Sequence, residues 1–206
     1  MFKNRLDAGY QLAEKLIYHK DKKDVLVLGL ARGGVVVAKA IANKLKLFLS
    51  VICVKKLGAP GNPELAIGAV SEEKTVVWNK QLIKTLRVDE DYKEKVLSIK
   101  YQEVSKQQEK FRQGKELKLK NKTVILVDDG IATGLTMAAA IKFCRQTAAK
   151  IILAAAVCAK DSFLELRPLV DEFICLEVKE NFYAVGEFYE EFGQVSDEEV
   201  VKLLKN

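Results

Sequence analysis

Between residues 124 and 136 the chain reads Val-Ile-Leu-Val-Asp-Asp-Gly-Ile-Ala-Thr-Gly-Leu-Thr. Four branched apolar residues lead into the adjacent carboxylates Asp128 and Asp129. A turn of small and hydroxyl residues follows, then the helical run that starts at Met137. Backbone N–H groups at a helix start, with the positive end of the helix dipole, can hold a phosphate. Thr133 and Thr136 add hydroxyl donors, and Gly134 lacks the Cβ that would block close approach. The carboxylates cannot be phosphate ligands, because like charges repel. They must face hydrogen-bond donors such as a sugar diol, or a cation. A phosphate cradle beside a diol-binding acid pair suits a 5-phosphorylated ribose. An Asp pair after an apolar strand also occurs as a metal pocket in receiver-like domains, and a Gly-Thr turn can be a plain connection. Neither alternative explains the whole run.

A second constellation, Gly29-Leu-Ala31-Arg32-Gly33-Gly34, again ends an apolar strand and opens a helix. Glycines let N–H groups converge on an anion, and Arg32 supplies a planar donor fork. The Lys-Ser/Thr ending of a nucleotide triphosphate loop is missing. Ordinary strand–helix packing is the competing account. Lys55 and Lys56 close the next predicted strand, and side-chain alternation points only one of them toward a site. The Gly/Pro stretch Leu57–Ala69 either borders a ligand or simply connects.

These residues need a scaffold, and the pattern supplies one. Helix 5–19 precedes strand 25–30, helix 35–45 and strand 47–55. Runs 65–70 and 75–78 read as a hairpin, and 79–86 and 89–113 as helices. Then come the strand at 124, its helix to about 147, strand 151–157, helix 161–167 and strand 172–176. A final helix, 198–204, opens on a capping box of Ser196 and Glu199. Alternating strands and helices with short connections predict an α/β fold with a doubly wound, mostly parallel sheet. Residues 57–116 form a small β-hairpin/helical insertion and 178–206 a C-terminal hood, within one domain spanning 1–206. The aromatics of 181–196 either stack on a planar acceptor or serve the core or a dimer contact. Segment 89–116 is mostly Lys, Glu and Gln. It reads as a mobile cover or oligomer contact that adds little to the core, with Tyr101 or Lys106 able to reach a ligand.

The 206 residues carry a net charge of +6 and a pI of ≈ 9.0. Lysines scattered among acids give no basic run interleaved with aromatics, which argues against nucleic-acid binding. No apolar run reaches the ~20 residues of a membrane span, and no apolar signal core follows the N-terminus. These features predict a cytoplasmic protein. Cys53, Cys144, Cys158 and Cys175 lie in apolar stretches without zinc spacing, so reduced, buried thiols are expected. His19, the single histidine, is placed on the surface at a helix C-terminus.

At Val124–Thr136 the chain resembles the type I phosphoribosyltransferases, whose signature is four hydrophobic residues, two acids, a short spacer and Thr-Gly-x-Thr. It is similar, more narrowly, to a predicted bacterial and archaeal subgroup. That likeness rests on Asn4–Gly9, Ala31–Gly34, Lys56–Gly68, Phe182–Gly186 and Phe192–Asp197. Lys55 stands where members often carry Arg, and Lys179 where many have Pro.

The resemblance implies a transferase that moves a phosphoribosyl group from phosphoribosyl pyrophosphate to an unidentified nitrogenous acceptor. A non-catalytic sensor of that ligand or of a nucleotide is the alternative on the same fold. Asp128 and Asp129 would meet the ribose hydroxyls. Ala132, Thr133, Gly134, Leu135 and Thr136 would surround the 5-phosphate. Ala31, Gly33, Gly34 and Lys55 would line the pyrophosphate end, and Arg32 and Lys56 would be catalytic there. Mg²⁺ would arrive mainly on the substrate diphosphate, with no dedicated protein ligand. Ala132 occupies the spacer position where 6-oxopurine transferases carry an Asp, which lowers the odds of hypoxanthine or guanine and leaves Glu64 as a candidate for the base that serves the acceptor. A homodimer is expected, without nucleic acid or membrane partners.

Overall fold

The computed structural model describes residues 1–205. Its main sheet is built from β1 (Val25–Leu30), β2 (Phe48–Ile52), β6 (Thr123–Ile131), β7 (Lys150–Ala159) and β8 (Glu172–Lys179), in the order β2-β1-β6-β7-β8. Every pairing in it is parallel. Helices α1 (Arg5–Lys15) and α2 (Gly33–Leu45) cover one face, and α5 (Leu135–Cys144) and α6 (Lys160–Leu166) the other.

The strands are buried on both sides, so they read as apolar runs rather than alternating ones. In β1, Val25 and Val27 pack with Leu12, Leu16, Ile41 and Leu45 of the first helical layer. Leu26, Leu28 and Leu30 face Met137, Ile141 and Leu166 on the other side. The chain starts at β1, moves outward to β2, and then returns to the other side of β1 at β6. That reversal is the switch point, where parallel sheets open a crevice at the carboxyl ends of their strands.

The predicted strand 47–55 is cut short. The last β1–β2 pair is Leu30↔Ile52, and beyond it no neighbouring strand continues the ladder. The Cys53 N–H instead donates to Glu72 Oε1 at 3.2 Å. Lys55 and Lys56 therefore open β3 (Lys55–Ala59) of a separate antiparallel sheet, β3-β4-β5, with β4 (Asn62–Val70) and β5 (Val76–Trp78). The expected β4–β5 hairpin is present. The stretch read as a Gly/Pro loop is itself a hairpin, turning at Gly61 with φ +72°.

Two helices complete this insertion, α3 (Lys80–Leu86) and α4 (Glu90–Arg112). The expectation that 89–116 adds little to the core is corrected. Val104 and Phe111 of α4 are buried in one cluster with Leu57, Ile67 and Val70. Val200 of α7 (Asp197–Leu204) belongs to the same cluster. Next to it Arg112 Nη2 bonds Glu72 Oε2 at 2.7 Å, with both side chains buried. Burial pushes the Glu72 carboxyl up from its usual range while the Arg112 charge opposes it. The stripe on α4 is narrow, but it is inserted rather than lying on a surface.

The placement of His19 is also corrected. A 3₁₀ turn at Ile17–His19 carries the ring inward, where it is buried against Tyr18 with neither ring nitrogen hydrogen-bonded. The four cysteines are free, three of them buried. No helix among the described residues is long and apolar enough to cross a membrane.

Candidate functional site

β6 runs past the two carboxylates. Its pairing with β1 stops at Gly29↔Val127, while pairing with β7 continues to Ile131↔Cys158. Asp128 and Asp129 thus sit where one neighbour has ended and the other holds the backbone straight. Opposite them the chain leaves β1 through Ala31-Arg32 and enters α2 at Gly33.

Closeness of these two segments explains the paired glycines better than anion binding alone does. A Cβ at Gly33 would lie 2.0 Å from Asp129 Oδ2, and one at Gly34 would lie 2.6 Å from the Val127 carbonyl oxygen. Only glycine lets the start of α2 press against the end of β6. Gly134, at φ +71°, turns the chain into α5 as its N-cap. The first backbone bond of that helix comes from Ala138 N, so earlier N–H groups face outward from its positive end.

A cleft of ≈ 400 Å³ lies between these segments. Ala31, Arg32, Gly33, Lys55, Lys56, Asp128, Asp129, Ala132, Thr133, Gly134 and Thr136 all line it. Eleven of the thirteen residues that the resemblance assigned to the donor therefore meet in one place. Gly34 is buried against β6 instead, and the Leu135 side chain packs into the core. Both lysines line the cleft, against the expectation of one, because they sit at the start of β3 rather than in a continuous β2. Glu64 is exposed beside the hairpin turn and does not line it. A second cleft of ≈ 430 Å³ shares Ala31, Arg32, Gly33 and Lys55 and adds Arg5, Gln107, Gln194 and Val195. From α4 it is Gln107 that reaches this cleft. Tyr101 packs in the insertion's core beneath Lys74, and Lys106 is exposed.

Sequence reasoning missed Arg5, Val185 and Tyr189. Arg5 Nε donates to Asp129 Oδ2 at 2.6 Å, and the Tyr189 hydroxyl donates to the Asp129 carbonyl at 2.6 Å. Val185 arches over Gly130 and lines the first cleft. The block Asn4–Gly9 was the signal for Arg5, though nothing in it said where the side chain goes. The aromatics of the C-terminal segment are mostly engaged with one another, as in the stacked Tyr189–Phe192 pair, while Tyr183 is exposed.

The acid pair is electrostatically loaded. Asp128 Oδ1 accepts the Asp129 N–H at 2.9 Å. Burial first, then the Asp129 charge, pushes the Asp128 carboxyl well above the usual carboxylate range, with Arg5 pulling it back. Arg32 is half exposed and lies 3.7 Å from the Asp197 carboxylate. Among the described residues no group of three or more His, Cys, Asp or Glu is placed to hold a metal ion.

The phosphoribosyl transferase domain family matches residues 2–192. A Mycobacterium tuberculosis protein named "Putative phosphoribosyl transferase", found in two strains, is 39% identical over 206 residues, covering 99% of this chain and 46% of the relative. The chain spans about half the length of these curated relatives. Among solved structures, TT1426 from Thermus thermophilus is 37% identical with a TM-score of 0.81, covering 98% of this chain and 97% of that one. A purine phosphoribosyltransferase from Pyrococcus horikoshii, 21% identical over 93% of each chain with a TM-score of 0.50, shares the fold.

Proposed function

Because the chain belongs to the phosphoribosyl transferase domain family, we propose that it transfers the phosphoribosyl group of phosphoribosyl pyrophosphate to a nitrogenous acceptor and releases pyrophosphate. One observation carries this reading: a single cleft at the switch point joins a helix N-terminus, an acid pair and a cationic loop. Each suits one part of the donor. The turn Ala132–Thr136 suits the 5-phosphate, through the first N–H groups of α5 and the two Thr hydroxyls. Asp128 and Asp129 suit the ribose diol as acceptors. Arg32 and Lys56, with Lys55 and the backbone of Ala31–Gly33, suit the diphosphate.

In the reaction the bond from the anomeric carbon to the pyrophosphate oxygen breaks, and its electron pair leaves with the diphosphate. The acceptor nitrogen forms the new bond, and its surplus proton passes to solvent or base. Arg32 and Lys56 would stabilise the leaving charge, while the acid pair faces the oxocarbenium character that develops on the ribose. Positioning and fixed charges would supply most of the rate. The residues fit a Mg²⁺ ion carried in on the diphosphate rather than caged by protein, since Asp129 already gives one carboxylate oxygen to Arg5 and Asp128 gives one to the Asp129 N–H. Such an ion would neutralise part of the leaving group's charge.

The test is pyrophosphate release from phosphoribosyl pyrophosphate and Mg²⁺ across a panel of purines, pyrimidines and simple amines. Release that depends on one acceptor class is the expected result. Tight donor binding without turnover on any of them would overturn catalysis in favour of a sensing module.

A further inference from the structure

The side chain that grips the acid pair comes from outside both loops. Arg5 opens α1, and its guanidinium has three anchors. Nε bonds Asp129 Oδ2 at 2.6 Å, Nη1 bonds the Gly193 carbonyl at 2.8 Å, and the group lies 3.8 Å from the centre of the Phe192 ring. The ion pair is shielded, with side-chain exposures of 11% and 12%, so it is not a loosely held surface contact. The same C-terminal segment reaches Asp129 a second time through Tyr189. That segment is laced to residues 2 and 3 by backbone bonds from Phe2 N to Phe188 O, Glu190 N to Phe2 O and Glu191 N to Lys3 O. Segments from both ends of the sequence therefore converge on one residue, Arg5 on the Asp129 carboxylate and Tyr189 on its main-chain carbonyl.

We infer that Arg5 is a positioning residue of the ligand site. It ties Asp129 by one oxygen, leaves the rest of the acid pair to the cleft, and lets residues 2–5 and 188–193 set where ribose hydroxyls are met. The geometry stands by itself; the identity of the ligand rests on the proposed function. The other charged or titratable groups facing the pair are Arg32 after β1, Lys55 and Lys56 on β3, and Tyr189. Among the described residues only Arg5 makes an ion pair with it.

Two measurements on Arg5→Gln and Arg5→Lys test this. The first follows the Asp128 carboxyl carbon by NMR against pH in ligand-free protein. The second is calorimetry with phosphoribosyl pyrophosphate and Mg²⁺ over the same pH range. Arg5→Gln should move the Asp128 titration to higher pH, because a favourable cation is gone. Donor affinity should fall roughly tenfold at the acid end, as expected when one charged hydrogen bond loses its geometry. The loss should shrink as pH rises, and Arg5→Lys should recover part of both effects. Phe192→Leu, which removes the ring under the guanidinium and keeps every charge, should weaken binding in the same direction and serves if Arg5→Gln does not fold. A lower melting temperature with an unchanged titration and unchanged pH dependence would make Arg5 a fold brace and overturn the inference. A shifted titration in protein that never binds the donor, wild type included, would uphold the positioning and refute the proposed function instead.

Discussion

Gly33 stands against Asp129 so closely that a Cβ would fall 2.0 Å from Oδ2 and 2.7 Å from Cγ. The loop after β1 and the acids of β6 are thus one unit, set by the absence of a single methyl group. Gly33→Ala must push the carboxylate away or lift α2 off the sheet. We expect a stability loss of about 1–3 kcal/mol together with loss of donor binding. Thermal melting and calorimetry read the two effects, and wild-type behaviour in both would mean that the two segments do not touch.

Removing one charge from the acid pair should leave the fold and weaken the ligand. Asp128→Asn and Asp129→Asn are each expected to cost about 1.5–3 kcal/mol of phosphoribosyl pyrophosphate affinity. Asp128→Asn is the milder of the two at low pH, where burial and the neighbouring charge already favour its protonated form. Calorimetric titration of both variants, with wild-type affinity in each, would rule out the diol assignment.

Arg32 lies on the other strand-end loop, so its contribution should be confined to the diphosphate. Arg32→Ala is expected to weaken pyrophosphate binding by roughly tenfold or more and to leave ribose 5-phosphate binding close to wild type. Equal losses for the two ligands would show that the loop serves the whole site.

The buried Glu72–Arg112 pair holds the insertion closed. Arg112 keeps Nε and Nη1 without partners, so removing Glu72 strands a charge in the interior. Glu72→Ala should destabilise by about 3–5 kcal/mol, and the double variant Glu72→Met/Arg112→Met by much less. Urea unfolding distinguishes them. A double variant as unstable as the single one would place the energy in packing instead.

His19 makes stability depend on pH. Burial lowers its pKa below the usual value, helped by the charges of Lys22 and Lys150. The unfolded ring takes up its proton near pH ~6.5, the folded ring only at lower pH. The unfolded state therefore binds more protons in that window, and stability falls as the pH drops below about 6.5. In His19→Phe the fall in melting temperature between pH 7 and 5 should be smaller. An identical pH profile would mean that the ring is protonated in place.

What could be read from the chain was what rests on local order. Apolar runs of strand length, the Ser196 cap whose Oγ accepts the Glu199 N–H, and the spacing from Asp128 to Thr136 are written in consecutive residues. They announce the strands, the helix start and the turn after the acid pair without knowledge of neighbours. The meeting of Arg32, Lys55 and Asp129 was legible only as an expectation about the ends of parallel strands. Three matters were decided in three dimensions. β2 ends where β1 does, since a strand stops when its hydrogen-bonding neighbour stops, and this sends Lys55 and Lys56 into a second sheet together. His19 is buried because a 3₁₀ turn, not a continued helix, carries it inward. Arg5 reaches Asp129 across 124 residues, and no local pattern encodes the partner of a long, flexible side chain. Periodicity records which face of an element is covered; the folded chain alone decides what covers it.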